Sequence, residues 1–154
     1  MTKQIIIREA RRDDLKVLIA MFAADDIGGH GDTVCEDALP DYERAFETIA
    51  ASPDQTLYVA ELAGEVIGTF QIVIATTLTG RGASFMIIEA VQTRSDMRGQ
   101  GIGARMIEFC IEQARARGLP RVQLISNAKR KDAHRFYERL GFEPSHLGFK
   151  MALK

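Results

Sequence analysis

The run Arg98-Gly-Gln-Gly-Ile-Gly103 places glycines at alternate positions. A backbone without Cβ atoms can approach a ligand closely and turn freely. A helix beginning there presents unpaired N–H groups and a partial positive charge. Arg98 adds a permanent cation suited to phosphate. The implied chemistry is pyrophosphate binding. The bland alternative is that the glycines only let a helix dock tightly on a sheet. No Gly-Lys-Ser/Thr follows, which excludes a P-loop. Gly99-x-Gly101-x-x-Ala104 also fits a loose dinucleotide fingerprint. That fingerprint wants an acidic residue about 20 positions on, and the next strand ends Leu124-Ile125-Ser126-Asn127 without one. A 154-residue chain also leaves no room after the loop for a second dinucleotide-binding half.

Other reactive side chains are sparse. Cys35 and Cys110 lie 75 residues apart with no CxxC, so neither a disulfide scaffold nor a structural zinc site is expected. His30, Asp32 and Cys35 lack a fourth ligand, so no metal is expected. Cys110, between Phe109 and Ile111, reads as core. His134 and His146 carry no partner pattern.

The elements that must position the loop follow from periodicity. Ile5–Arg8 reads as a strand. Asp13 or Asp14 then caps a helix with Leu15, Leu18, Ile19 and Phe22 inward. The glycine-rich stretch Asp26–Asp32 ends it. A second helix runs from about Pro40, with Tyr42, Ala45, Phe46 and Ile49 on one face, to Ser52-Pro53-Asp54. Thr56–Leu62 and Val66–Thr76 flank Ala63-Gly64-Glu65 as a hairpin. Thr77–Gly82 reads as a polar loop, and Ala83–Thr93 as a central strand. The glycine loop opens a largely buried helix to about Arg117. Val122–Ile125 is a further strand and Lys131–Leu140 a helix. Short strands near Phe142–Glu143 and over Leu147–Leu153 complete the reading. The expectation is an α+β chain of about seven strands and four helices, forming a single domain over residues 1–154. Within it, residues 83–126 make a strand–helix–strand crossover with parallel strands.

Composition fits that reading. The chain is 46% apolar and 27% charged, ordinary for a globular domain. A net charge of −1 argues against a nucleic-acid binder. No apolar run is long enough to span a membrane, and the opening apolar run is too short for a signal peptide. A cytoplasmic location is the default expectation.

Two motifs together resemble a known family. Arg98-x-x-Gly101-x-Gly103 is similar to the Arg/Gln-x-x-Gly-x-Gly/Ala signature of the GNAT superfamily of acyl-CoA N-acyltransferases. Ile88-Glu89 precedes it by nine residues, where many members carry Ile-Glu. His134-Arg-Phe-Tyr137-Glu-Arg-Leu-Gly-Phe142 resembles the family's C-terminal helix, 39 residues beyond Arg98. The resemblance implies a mixed, strongly bent sheet whose two central parallel strands splay apart. Acetyl-CoA, the acyl-donor cosubstrate, would lie in the splay. Its pantetheine would pair with the backbone of Val91, Gln92 and Thr93. Its pyrophosphate would take backbone N–H groups of Arg98, Gly99, Gln100, Gly101, Ile102, Gly103 and Ala104. Asn127 would bond pantetheine, or serve only as a turn residue. Lys129-Arg130-Lys131 would reach the 3′-phosphate, or form a solvated face. Three departures mark the chain: Ala90 where Asn or Asp is common, Met97 where Tyr is common, and Arg94-Ser95-Asp96 in place of a frequent proline.

The resemblance also implies chemistry. Amide formation from a thioester needs a neutral amine, a stabilised oxyanion and a protonated leaving thiol. An alkyl amine is neutral in only about one molecule in a few thousand at pH 7, so a base is useful. Glu89 is the candidate base; its apolar neighbours Phe85, Met86, Ile87, Ile88 and Val91 lead us to expect burial that holds its proton more tightly. A strand carboxylate facing solvent or pairing with Arg is the alternative. Tyr137 is the candidate acid for the leaving sulfur, against the alternative of a core aromatic beside Phe136 and Leu140. A backbone N–H near Val91 would bind the oxyanion. The acceptor is expected to be a small-molecule amine, touched by His30 or not. Homodimers are common in the family, so a homodimer is a further expectation. A CoA-binding sensor or partner module without catalysis is the alternative function.

Overall fold

The structure, a computed structural model, describes residues 4–25, 27 and 30–154. The stretch that ends the first predicted helix includes Asp26, Gly28 and Gly29, which lie outside the described residues. Five strands make one sheet whose spatial order is the chain order: β1 (Ile6–Glu9), β2 (Gln55–Leu62), β3 (Glu65–Thr76), β4 (Ser84–Thr93) and β5 (Val122–Leu124). The first four are antiparallel neighbours, and β5 runs parallel to β4. The β2–β3 hairpin turns through Ala63 and Gly64, at φ 52° and 82°, the backbone a two-residue turn needs to match strand twist.

The helices are α1 (Leu15–Ala23), α2 (Leu39–Ala51), α3 (Thr79–Gly82), α4 (Ile102–Ala116) and α5 (Lys131–Arg139). Four match the sequence reading within a few residues at each end. The fifth, α3, is a single turn inside the predicted polar loop, bent by Gly80 and Arg81 at φ 66° and 65°. The sheet has five strands where the sequence led us to expect seven. Phe142 packs its ring on Tyr137 at 5.8 Å instead of entering a strand. Residues 142–154 hold no regular structure: a strand needs a neighbour for its backbone groups, and among the described residues none pairs with this segment.

The sheet is covered on both faces. Tyr58, Ala60, Ile67, Phe70, Ile72, Met86 and Ile88 pack with α4 through Ile102, Met106, Ile107, Cys110 and Ala114. On the other face Val59 and Val66 meet Leu18 and Met21 of α1. Neighbours in sequence thus point to opposite sides, as strand geometry requires, and double coverage explains the unbroken apolar runs. A Cβ at Gly68 would stand 2.9 Å from the sulfur of Met106, so this glycine is what lets α4 lie close on β3. Burial pushes the Cys110 thiol up to about 12, which keeps it protonated and inert.

A charged cluster fastens β1 to the rest. Arg8 grips buried Asp14 with two nitrogens, at 2.8 and 3.0 Å, and donates to Glu61 on β2 at 2.8 Å. Asp14 also accepts from the Arg11 N–H at 2.7 Å. It therefore closes the short turn before α1 and makes no side-chain cap of α1 itself, unlike the simple cap the sequence suggested. Arg12 reaches Glu43 at 2.6 Å and also pairs with Glu47, tying α2 to the same turn.

Candidate active site

The parallel pair β4–β5 is joined over three positions only, Met86–Val122, Ile87–Gln123 and Ile88–Leu124. Beyond them β5 ends, and β4 continues from Glu89 to Thr93 with no neighbour on that side. The strand also changes course there. Gln71 faces Glu89 and Thr69 faces Gln92, so Ala90 and Val91 together oppose Phe70. This is a β-bulge, and Ala90 sits in it at φ 51°. An alanine at that dihedral is strained, whereas Asn and Asp tolerate it. The departure noted at this position thus has a physical meaning: the backbone conformation is present without the side chain that favours it.

The glycine loop lies between β4 and α4. Gly99 and Gly101 adopt φ 77° and 81°, and a Cβ at either would meet open space. Gly101 is the residue before α4, and no side chain caps that helix. The first N–H groups of α4 are left to a ligand or to solvent. Gly103 serves differently: a Cβ there would stand 3.3 Å from Phe136 Cζ on α5. The docking reading of the loop thus describes Gly103, while Gly99 and Gly101 leave their part of the loop open.

A cleft of about 430 Å³ opens on this loop. Of the predicted cofactor-binding residues it brings together Thr93, Arg98, Gly99, Gly101, Ile102, Gly103 and Ala104. Val91 and Gln92 stand half-buried further back along β4, while Gln100 is exposed; none of the three lines the cleft. The sequence reading missed the opposite wall, formed by Met97, by Phe136 and Arg139 of α5, and by Leu140 just past its end. Their i, i+3, i+4 spacing was the available signal. Asn127 behaves as a turn residue: its Oδ1 accepts the Lys129 N–H at 2.9 Å, and its carbonyl accepts from Arg130 N–H and His134 Nε2, each at 2.9 Å. Arg130 is half-buried and paired with Asp25 at 2.5 Å. Of the basic cluster, only Lys129 and Lys131 face solvent.

Tyr137 is half-buried, 5.1 Å from the ring of Phe136. Burial pushes its phenol up, against the opposing positive charge of Arg130. Among the described residues no group hydrogen-bonds its hydroxyl. Glu89 departs from expectation: its carboxylate is exposed. The physical reason is its position, since it is the first residue past the end of β5 pairing. Its apolar neighbours turn inward while its own flank opens on the gap. His30 and Cys35 are exposed, and no metal-binding cluster occurs among the described residues. No described helix is long and apolar enough to cross a membrane.

The donor set suits an anionic, nucleotide-like ligand: uncapped helix N–H groups, two open left-handed glycines, Arg98, and a strand edge free to pair. Comparison with known proteins agrees. The model of the Acetyltransferase (GNAT) family matches residues 21–142. The aminoalkylphosphonate N-acetyltransferase of Salmonella typhimurium is 35% identical over 73% of this chain and 75% of its own length. The L-methionine sulfoximine/L-methionine sulfone acetyltransferase of Pseudomonas aeruginosa is 29% identical over 90% of this chain and 80% of its own. A crystal structure described as a transcriptional regulator from Bacillus halodurans superposes with a TM-score of 0.93 at 38% identity, covering 97% of this chain and all of that one. With the family signature on the loop and its model matching most of the length, this chain belongs to the GNAT family of acetyltransferases.

Proposed function

We propose that the protein transfers the acetyl group of acetyl-CoA to the primary amine of a small molecule, by direct attack in a ternary complex. Residues 1–154 would act as one N-acetyltransferase domain in the cytoplasm. The observation that carries this reading is the uncapped start of α4, with Gly99 and Gly101 open to solvent beside an unpaired stretch of β4. Arg98 through Ala104 hold the pyrophosphate, and Val91 to Thr93 hold pantetheine by backbone pairing. Asn127 has its amide nitrogen left for the same group. Acetyl-CoA supplies the activated acyl carbon.

The chain's own residues then handle protons and geometry. Glu89 takes the ammonium proton of the acceptor through water, as its exposed position permits. An N–H near Val91, where the bulge redirects the backbone, faces the developing oxyanion. Tyr137, protonated at neutral pH like any phenol, gives its proton to the departing sulfur. The names of the two relatives suggest acceptors that pair an amine with a compact oxyanion or sulfoximine group.

Thermal unfolding with and without acetyl-CoA, with NAD as control, tests the reading. Ligand at a hundred times its dissociation constant adds about 2.7 kcal/mol, and each kcal/mol raises the midpoint by roughly 2–4 °C at this size. A rise of several degrees with acetyl-CoA alone is expected; no rise, or one with NAD, overturns it. The second reading, a CoA-binding sensor, draws on the description of the Bacillus halodurans structure as a regulator. Binding of acetyl-CoA without turnover of any amine, aminoalkylphosphonates and methionine sulfoximine included, would favour it.

A further inference from the structure

Of the consecutive cations Lys129, Arg130 and Lys131, Arg130 alone is turned inward. Its backbone is pinned on both sides. Its N–H donates to the Asn127 carbonyl at 2.9 Å, and its carbonyl accepts the His134 N–H at 3.1 Å as α5 begins. Its side chain, 28% exposed, pairs with that of Asp25, 14% exposed, at 2.5 Å. The two residues stand 105 positions apart in sequence. Asp25 is anchored as well, just past the end of α1. Its N–H donates to the Phe22 carbonyl at 3.1 Å, and its Oδ1 accepts the Ile27 N–H at 3.2 Å.

This pair joins the two faces of the sheet. α1 packs on one face through Leu18 and Met21, whereas Phe136, Tyr137 and Leu140 pack with the core of the other. Arg130 belongs to the connection from β5 to α5, so the contact passes round the sheet where β5 has stopped. A charge held this far from water costs solvation; its position brings it near Tyr137. The two are seven residues apart, about two helical turns, and so share one side of α5. A helical side chain leans back toward the N-terminus, here toward Arg130. The Arg130 charge opposes the effect of burial on the Tyr137 phenol. Cys110 faces the phenol from α4 as a protonated thiol, His134 one turn earlier is bonded to the Asn127 carbonyl, and Asp25 faces Arg130 from the end of α1.

We propose that Arg130 is a positioning residue for acetyl transfer, fixed by Asp25 so that its positive charge stays on the side of α5 that carries Tyr137. The inference rests on the reading of Tyr137 as the acid. Arg130 lines no part of the cleft on the glycine loop, so it acts on the proton transfer and not on the hold on the cosubstrate. As the acyl–sulfur bond breaks, the phenol O–H breaks and an S–H bond forms on the leaving thiolate. The phenolate left behind regains its proton from solvent. A cation already fixed nearby stabilises the negative charge that grows on the phenol oxygen, without having to move at the moment of reaction. Asp25 supplies the fixing, because a long Arg side chain left alone would extend into water.

Kinetics and NMR on the full chain test this together. Arg130→Met removes the charge at similar length. Its kcat should fall by about 3- to 10-fold while KM for acetyl-CoA holds. A unit charge roughly 10 Å away in an effective dielectric of about 20 is worth on the order of tenfold, and here it acts on a partial charge. An unchanged kcat, whatever KM does, overturns the proposal. Carbon-13 NMR of labelled tyrosine follows the phenol itself, with Tyr137→Phe assigning its signal among the three tyrosines. The Tyr137 midpoint should move up in Arg130→Met, because an opposing positive charge has gone. A midpoint that stays overturns the proposal, and so does one that falls, which is what loosened packing gives. Asp25→Asn should also slow turnover, and adding it to Arg130→Met should bring no further loss; additive losses overturn the part given to Asp25. The NMR titration needs no turnover, so its failure is distinct from failure of the acid reading, which Tyr137→Phe with unchanged turnover would show.

Discussion

Burial disfavours the Tyr137 phenolate more than Arg130 favours it, and among the described residues its hydroxyl has no hydrogen-bond partner to compete with a ligand. Tyr137→Phe should therefore lower turnover at least about tenfold, the scale of general-acid assistance, with acetyl-CoA affinity kept. Steady-state kinetics beside a binding isotherm checks both halves; unchanged turnover removes it from the acid role. Glu89, the proposed base, is exposed, and its effect belongs in the pH profile. Glu89→Gln should flatten the acidic limb of the rate against pH, and an unaltered limb shows that another group is the base. The positions of both residues could be read from the motifs around them. The exposure of Glu89 could not, because it depends on where a different strand, β5, stops. Asn127 shows the converse: a residue named for a ligand contact spends its oxygen on closing a local turn.

At the scale of elements, periodicity identified four helices and five strands because each of them buries one face or two against a neighbour. It failed over Leu147–Leu153, where the alternation is present in the sequence but its large apolar side chains are exposed and no strand forms. It also missed the bulge, since nothing in the side chains of Ala90-Val91 announces a left-handed residue. That bulge invites a substitution. Ala90→Asn should stabilise by about 0.5–1 kcal/mol, because Asn relieves much of the penalty an alanine carries at this dihedral. The midpoint of thermal unfolding should rise by roughly 1–4 °C. A fall would mean that the strand can relax at Ala90 without the turn.

Across the whole molecule, the Arg8–Asp14–Glu61 cluster links stability to acid. Burial by itself would raise the Asp14 carboxyl, but the Arg8 guanidinium and the Arg11 N–H outweigh it and hold it below the ordinary range. A carboxyl so lowered in the folded state adds stability at pH above its unfolded value of about 3.9. That contribution fades as pH falls through the lower, folded value. Asp14→Asn should cost about 1.5–3 kcal/mol near neutrality, the range for hydrogen bonds to charged groups. The difference from wild type should shrink in unfolding curves taken at progressively lower pH. A difference independent of pH would assign the loss to packing.

The sheet order, identical to the chain order, bears on how the protein is made. Strands β1 to β4 meet partners adjacent in sequence, apart from the long step between β1 and β2 over the first two helices. Such contacts close small loops and form quickly. The cleft on the glycine loop draws on Thr93 through Leu140, and so can be complete only after α4, β5 and α5 have left the ribosome and docked. Synthesis thus builds the platform first and the cleft last. Throughout that interval the flank of β4 that later receives α4 and β5 stays uncovered, which makes this half-built sheet the stage at which a nascent chain is most exposed to wrong pairing.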